Sequence, residues 1–291
     1  MSNISIIGSG RVGIAVGMGF QQLGNKVVFY DTDEAQVKHL GKLGHVATSN
    51  LKYAISESSL TFICVPTPSC SCIDLSQVIT AVTSLADALK DKTDYHLTVV
   101  KSTVLPTTAE YIIIPLLTKF GRKLGGELGL CVNPEFLTEV ATTWTDDRRY
   151  HRNFFNEDRI VIGEYDKKSG DILEQLYKPL GKPIFRTDMR TAEMIKYAAN
   201  CMLATKISFW NEIFLICQKL GIDSQQVADI VALDPRIGKY GSVHGKAFGG
   251  KCLPKDLQAF VSFARDYRDP ALLAAVKQIN DYMAEHYGVR D

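Results

Sequence analysis

Ile4-Ser5-Ile6-Ile7-Gly8-Ser9-Gly10-Arg11-Val12-Gly13-Ile14-Ala15-Val16-Gly17-Met18-Gly19-Phe20 decides the fold. A short apolar run, a G-x-G-x-x-G turn and a helical pattern follow one another in the order a dinucleotide site needs. Gly8 makes the turn, Gly10 lets a pyrophosphate approach the backbone, and Gly13 lets the helix pack on the strand. The phosphates then rest on the helix N-terminus, beside Arg11 and Val12. The glycines alone are weak evidence, since a tight turn with no cofactor can carry them too. A second strand, Lys26-Val27-Val28-Phe29-Tyr30, ends at Asp31, 18 residues after Gly13, and argues for the cofactor. An acid there hydrogen-bonds a ribose 2′-hydroxyl and repels a 2′-phosphate. No arginine follows nearby, so the spacing predicts NAD rather than NADP.

Outward from this unit, strands and helices alternate. The pattern predicts a helix over 34–44, a strand over 59–65 closed by Pro66-Thr67-Pro68, and a helix over 76–89. It continues with strand 96–103, helix 107–120, strand 128–132, strand 159–163, helix 169–180 and strand 183–187. No element is assigned between residues 45 and 58. Such alternation argues an α/β fold: a Rossmann-like, doubly wound, mainly parallel sheet covered on both faces. Ligands bind such sheets outside the carboxyl ends of the strands, where Gly8–Gly13, Thr67, Thr103 and Glu135 fall. From about Asp188 the character changes. Residues 191–220 carry one helical pattern without proline or glycine, about 45 Å long at 1.5 Å per residue. That length suits a helix supporting two domains or a dimer interface. Shorter helices are expected over 224–233, 257–267 and 271–287, with a loop over 235–250. The expected division is 1–187 for the sheet domain and 188–291 for an all-helical domain built on the long central helix.

The composition narrows the function. Of 291 residues 46% are hydrophobic, and 33 basic against 32 acidic residues leave a net charge of +1. No long basic run appears, which argues against nucleic acid or an anionic membrane as the main partner. Seven cysteines, irregularly spaced, fit neither a disulfide framework nor a paired zinc-ligand pattern, and no metal is expected. Cys70-Ser71-Cys72 has no second ligand pair and reads as a loop with two thiols. No signal peptide and no membrane-length apolar run is visible, so a reducing, cytoplasmic setting is expected.

Phe248-Gly249-Gly250-Lys251-Cys252-Leu253-Pro254-Lys255-Asp256 carries the chemistry. One thiol sits between two lysines, and Pro254 suits the first turn of a helix. Neighbouring lysines and a helix N-terminus lower a thiol pKa, and the thiolate is the nucleophile. The alternative is a glycine-rich turn whose cysteine fills a gap. Lys196 and Asn200, four apart on one helix face, can both donate hydrogen bonds to an oxyanion, although such a pair on a helix is ordinarily just solvated.

Together these runs resemble the UDP-glucose/GDP-mannose dehydrogenase family. The resemblance rests on Gly8–Gly13, Val65-Pro66-Thr67-Pro68, Lys101-Ser102-Thr103, Asn133-Pro134-Glu135-Phe136-Leu137-Thr138-Glu139 and Asp158-Arg159-Ile160-Val161-Ile162-Gly163. It continues with Lys196-Tyr197-Ala198-Ala199-Asn200, Arg236-Ile237-Gly238 and Phe248–Asp256. It implies two successive NAD-dependent oxidations of the C6 alcohol of a nucleotide-linked sugar, UDP-glucose being the expected substrate. By the same resemblance Cys252 captures the intermediate aldehyde, Asp256 acts as first base through a water, and Glu135 assists hydrolysis. Thr103 holds a water or the nicotinamide; Thr67, Glu139 and Lys255 contact the cofactor. Phe136, Leu137, Phe248 and Gly249 line the substrate beside Glu135, Lys196 and Asn200, and Arg236 reaches its phosphates or a neighbouring subunit's site. A homodimer through the 191–220 helix is implied.

Three departures stand out. The family carries a third, nucleotide-gripping domain that would begin about where this sequence ends, so a separate chain supplying it is one expectation. The stretch over 40–60 is shorter than the family's, and Gln36 stands where the family has a lysine. Two other readings stay open. The 6-phosphogluconate and hydroxyacyl-CoA dehydrogenases share a Rossmann domain, a helical domain and a lysine–asparagine pair, but oxidise once and need no thiol. A non-catalytic NAD-binding module is the other.

Overall fold

The computed structural model describes residues 1–69, 72–138, 144–145 and 150–290. The chain packs into two compact units. The first comprises residues 1–68, 74–137 and 153–196, and the second centres on residues 197–290 with the described parts of 69–73 and 138–152.

In the first unit the glycine turn joins β1 (Asn3–Ile7) to α1 (Arg11–Gln22). There follow β2 (Lys26–Tyr30), α2 (Glu34–Lys42), β3 (Val46–Thr48), α3 (Leu51–Ser56), β4 (Leu60–Ile63), α4 (Ser76–Leu89) and β5 (His96–Val100). A π-helical turn, Ala109–Ile113, leads into α5 (Ile114–Leu117). Then come β6 (Leu128–Val132), β7 (Ile160–Glu164), α6 (Lys167–Tyr177), β8 (Ile184–Thr187) and the start of α7 (Met189–Leu220). The eight strands form one sheet in the order β3-β2-β1-β4-β5-β6-β7-β8. Neighbours run parallel except β6 and β7. This is the expected doubly wound sheet. Its order reverses between β1 and β4, which opens the crevice where such sheets bind ligands.

Register lines up the strand ends. Ile7 pairs with Tyr30 and Ile63, Ile63 with Val100, and Val100 with Val132. Gly8, Asp31, Cys64, Lys101 and Asn133 therefore leave the sheet along one edge. The inner strands are buried on both faces, as strands of a covered parallel sheet are; among their polar residues, Ser5, Thr61 and His96 hydrogen-bond one another in series. Ile4, Ile6, Phe29, Phe62, Leu97 and Val99 pack against α1 and α6. Ile7, Ile63, Val100 and Val132 pack on the other side with residues of α4, α5 and α7. The alternation is the two-residue period of a strand. On the first face Phe20 stacks with Phe62 and meets Phe154 and Tyr177 edge-on. A Cβ at Gly19 would lie 2.2 Å from the Phe154 ring, so this glycine admits the aromatic cluster.

Several elements depart from the sequence reading. Residues 45–58 hold β3 and α3. Three strand residues are too few to show alternation, and α3 is set by Asn50, whose Oδ1 accepts the Tyr53 N–H at 3.2 Å. The continuous helix expected over 107–120 begins instead with the π-helical turn and ends at Leu117. Pro115 supplies no N–H to the carbonyl four residues back, so the ladder widens there.

The second unit is built on the remainder of α7, whose 32 residues span about 48 Å. It adds α8 (Ser224–Val231), β9 (Ala247–Phe248), α9 (Leu253–Ala264), α10 (Ala271–Tyr287) and β10 (Val289–Arg290). Its core gathers Trp144, Cys201, Ala204, Ile207, Phe248, Leu257, Val261 and Val276. Among its described residues the unit is helical apart from the short parallel pair of β9 and β10; β9 lies within the stretch expected to be a plain loop, and β10 follows the last helix. Helix α9 runs from Leu253 to Ala264 with Pro254 in its first turn, as that proline predicts.

Candidate active site

The turn after β1 has the shape its glycines predict. Gly8 adopts φ +89°, and a Cβ there would lie 3.0 Å from the backbone of Cys64 and Val65. Gly13 admits no side chain, since its Cβ would lie 2.1 Å from the Gly8 carbonyl oxygen. Gly10 faces open space and stands at the N-cap of α1, which has no side-chain cap. A helix N-terminus left uncapped beside open space suits an anionic pyrophosphate. The Asp31 carboxylate accepts the Ser9 N–H at 2.7 Å and the Asp33 N–H at 3.0 Å, tying the end of β2 to the turn. Gln36 donates to the Ser9 carbonyl at 2.7 Å and so braces the turn from α2. Gly8, Gly10, Gly13 and Asp31 thus come together, with Arg11 and Val12 on the first turn of α1. These residues fit a dinucleotide, which when bound supplies a hydride acceptor.

Along the same edge the Thr67 hydroxyl donates to the Thr103 carbonyl at 2.9 Å and joins the segments after β4 and β5. Beyond β6, Glu135 is buried and meets Lys196 of α7. The ammonium donates to the Glu135 carboxylate at 2.9 Å and to its main-chain carbonyl at 2.7 Å. Burial pushes the Glu135 carboxyl up, but Lys196, the Leu137 N–H and Lys101 together outweigh it and hold it below its ordinary value. The Leu137 N–H donates to Glu135 Oε2 at 2.7 Å. The Phe136 ring centroid is 4.0 Å from the Arg159 guanidinium and 5.5 Å from Lys196 Nζ.

The sequence reading assigned no role to the groups beneath this pair. Lys101 is 3% exposed. Its ammonium donates to Asn133 Oδ1 at 3.0 Å and reaches the Pro134 carbonyl and the Tyr177 hydroxyl at 3.4 Å. Tyr177 also donates to Asn133 Oδ1 at 2.7 Å, and the Asn133 amide donates to the Val161 carbonyl at 2.7 Å. Burial pushes the Lys101 ammonium down, with Glu157 and Glu135 acting against it. Burial likewise pushes the Glu157 carboxyl up, with Lys101 opposing. Two buried lysines and two buried glutamates therefore support the Asn133-Pro134-Glu135 segment. Lys101 stood in the sequence beside Thr103; Glu157 gave no signal, because its burial is a product of the fold.

In the second unit Cys252 is the N-cap of α9 and is partly exposed. One turn on, the Asp256 N–H donates to the Cys252 carbonyl at 2.9 Å. Asp256 is 1% exposed, and its carboxylate accepts the Asn200 amide at 2.6 Å and pairs with Lys255. Asn200 and Lys255 are therefore both joined to one carboxylate. Phe248 is buried in the core of the unit and held on both polar atoms by Asn280. Asn280 Oδ1 accepts the Phe248 N–H at 2.7 Å, and its amide donates to the Phe248 carbonyl at 3.2 Å. Gly249 donates its N–H to the Arg290 carbonyl at 3.0 Å. Asn280 and the 288–290 stretch thus fix the chain just ahead of the thiol, a role sequence spacing could not reveal. Arg236 is an exposed side chain in a forked pair with Asp234 at 2.6–3.1 Å. Glu139 and Cys70 lie outside the described residues; Cys72 is exposed.

Comparison with known proteins gives the family. Residues 41–181 match the NAD binding domain of the UDP-glucose/GDP-mannose dehydrogenase family, and residues 190–282 match its central domain. A UDP-glucose 6-dehydrogenase of Haloferax volcanii is 37% identical over 97% of the chain. A GDP-mannose 6-dehydrogenase of Pseudomonas aeruginosa is 34% identical over 88% of the chain. The chain spans 70% of the first relative and 63% of the second. The solved structure of a UDP-glucose dehydrogenase from Pyrobaculum islandicum superposes with a TM-score of 0.88 at 33% identity, covering 98% of this chain and 69% of that one. The matched NAD binding domain and the glycine turn with Asp31 agree on NAD as the cofactor. With both domain models matched in order along one chain, the protein belongs to the UDP-glucose/GDP-mannose dehydrogenase family.

Proposed function

We propose that the protein oxidises the C6 alcohol of a nucleotide-linked sugar twice, to the uronic acid, through a thioester on Cys252. The observation that carries this reading is Cys252 at the N-cap of α9 with Asp256 one turn on. A helix N-terminus favours a thiolate, and a buried carboxylate bonded to an amide and an ammonium is set to pass protons. NAD held at the glycine turn and Asp31 would supply the acceptor for each hydride. Asp256, through a water, takes the alcohol proton in the first oxidation. Cys252 adds to the resulting aldehyde, and loss of a second hydride leaves a thioester. Water then cleaves it to acid and free thiol, with Glu135 accepting the water's proton. Lys196 and Asn200 donate to the oxygen that becomes negative as each tetrahedral or alkoxide species forms.

Gly8, Gly10, Arg11, Val12, Gly13, Asp31, Thr67, Thr103, Glu139 and Lys255 are assigned to the cofactor in this reading. Phe136, Leu137, Arg236, Phe248 and Gly249 are assigned to the sugar nucleotide. Residues 1–187 then act as the cofactor domain and 188–291 as the domain bearing the thiol. UDP-glucose is the favoured substrate, supported by the archaeal relatives. GDP-mannose is the competitor to test beside it.

A homodimer is part of the proposal. Met202, Phe209, Ile216 and Leu220 recur at helical spacing along α7 and are 51–67% exposed. An exposed apolar stripe on so long a helix suits a second copy. Among the described residues no helix is long and apolar enough to cross a membrane; a cytoplasmic setting is proposed because the mechanism needs a reduced thiol.

The Cys252→Ala protein tests the mechanism. It should oxidise the sugar once and release aldehyde without acid. Acid production at the parent rate would end the thioester reading.

A further inference from the structure

Glu193 lies one turn before Lys196 on α7 and is 1% exposed. Its two carboxylate oxygens each accept a main-chain N–H. Oε2 takes Thr107 at 2.7 Å and Oε1 takes Ala109 at 2.8 Å. Thr107 has φ +79° and is the one non-glycine residue with positive φ among the described residues. An L-residue adopts that conformation only when its surroundings hold it there. The π-helical turn that follows has no side-chain cap of its own at Thr108. Glu193 supplies the acceptors from another element.

The segment so held is the one that carries Thr103. At its near end the Thr67 hydroxyl donates to the Thr103 carbonyl; at its far end Glu193 takes the Thr107 and Ala109 amides. The start of α7 therefore fixes two segments at the carboxyl edge of the sheet: residues 107–109 through Glu193, and residue 135 through Lys196. A helix cap alone is supplied more cheaply by a local serine or aspartate. A buried carboxylate brought from a distant element is justified by what the held loop does.

We propose that Glu193 is a positioning residue that fixes the Thr103 loop for cofactor binding, and that it does so only when ionised. The inference rests on the reading that Thr103 lies at the cofactor. Ionised, the carboxylate offers an acceptor to each amide. Protonated, one oxygen becomes a donor facing an N–H, and the strained Thr107 turn loses its hold. Burial pushes the Glu193 carboxyl up to about 7, against the pull of the two amides. The charged groups that act on it are Glu110, from the π-helical turn, and Arg190, from its own helix. These two pair with each other, so neither neutralises Glu193. The hold is present above about pH 7 and fades below it.

The test uses the full chain and two readouts, amide hydrogen exchange in the cofactor-free protein and NAD affinity by calorimetry, each from pH 6 to 8.5. The parent protein should protect the Thr107 and Ala109 amides at pH 8 and lose that protection through about pH 7, once intrinsic exchange is corrected. Its NAD affinity should fall roughly tenfold over the same range, the equivalent of one charge-assisted hydrogen bond. Glu193→Gln keeps the shape and removes a buried charge, so it should fold. It should show low protection and tenfold weaker, pH-independent NAD binding. Adding Thr107→Gly, which adopts the same turn without strain, should restore most of the affinity, and Thr107→Gly on its own, which relieves the same strain with Glu193 intact, should leave NAD affinity at the parent value. Parent-like protection and pH dependence in Glu193→Gln would overturn the proposal. Thr103→Ala separates the two layers. If it weakens NAD binding and Glu193→Gln does not, the inference alone fails. If exchange follows Glu193 but neither variant alters NAD affinity, the placing of Thr103 fails and the inference with it.

Discussion

Replacing Lys196 by methionine removes one charge from a buried four-charge cluster and leaves the volume nearly unchanged. Lys101 and Lys196 balance Glu135 and Glu157, so the cluster is neutral as it stands. At 2.9 Å the Lys196–Glu135 attraction is about 6 kcal/mol for an effective dielectric of 20, much of it offset by desolvation of both groups. Breaking such a pair from one side leaves an uncompensated buried charge, and the expected cost is about 3–5 kcal/mol. Glu135→Gln leaves the opposite excess and should cost a similar amount. The double variant restores neutrality through Lys101 and Glu157. It should cost well under the sum, with a coupling energy of about 2 kcal/mol or more. Urea unfolding at pH 8, followed by far-ultraviolet circular dichroism, measures all three. The sign with pH adds a second check. Without Lys196 the Glu135 carboxyl rises above its unfolded value, so the folded variant binds an extra proton on acidification. The penalty of Lys196→Met should therefore shrink as pH falls from 8 toward 5. Additive costs, or a penalty that grows in acid, would refute the picture of a balanced buried cluster.

Three further outcomes are expected. Gly13→Ala places a Cβ 2.1 Å from the Gly8 carbonyl oxygen and 3.0 Å from the Ile6 side chain, forcing α1 off the turn. Calorimetry should show NAD affinity at least tenfold lower, with the fold retained and destabilised by about 1–3 kcal/mol. His96 is buried and shares a hydrogen bond with Thr61 at 2.7 Å; burial, then Lys92 and Arg122, push its pKa down to about 3. The unfolded chain binds that proton below about pH 6.5 and the folded chain does not, so His96 costs stability as pH falls, by about 1.4 kcal/mol per unit. Glu193, with a raised pKa, works in the opposite sense, so the comparison is between the parent and His96→Gln, whose acid limb should be shallower by one proton. Asn280→Ala frees both polar atoms of Phe248 and should cost about 1–3 kcal/mol. Iodoacetamide labelling of Cys252 should then change in rate, a readout that a remote packing defect leaves alone.

What was legible in the sequence was whatever one local rule determines. The glycine turn, Asp31 at the end of β2 and the uninterrupted pattern of α7 each follow from spacing, and each stands as read. Elements set by a few residues or by a missing N–H were not legible: β3 is three residues long, and the break before α5 depends on what Pro115 withholds from the ladder. The candidate site divides the same way. Glu135, Lys196, Asn200, Cys252 and Asp256 were visible as residue types in their runs. Their partners were partly hidden, since Lys101, Glu157, Glu193 and Asn280 gain their character from burial and from chain segments far away in sequence. The pairing of Arg236 with Asp234 two residues away was not read from the sequence either, and its phosphate role rests on the resemblance alone.

The central claim is a four-electron oxidation on one thiol, and stoichiometry tests it most directly. The purified chain is given NAD and UDP-glucose, and NADH formed is counted against sugar consumed, with the product identified by mass. The account predicts two NADH for each sugar and UDP-glucuronate as the product. One NADH for each sugar, with the aldehyde as the end product of the parent protein, would contradict it.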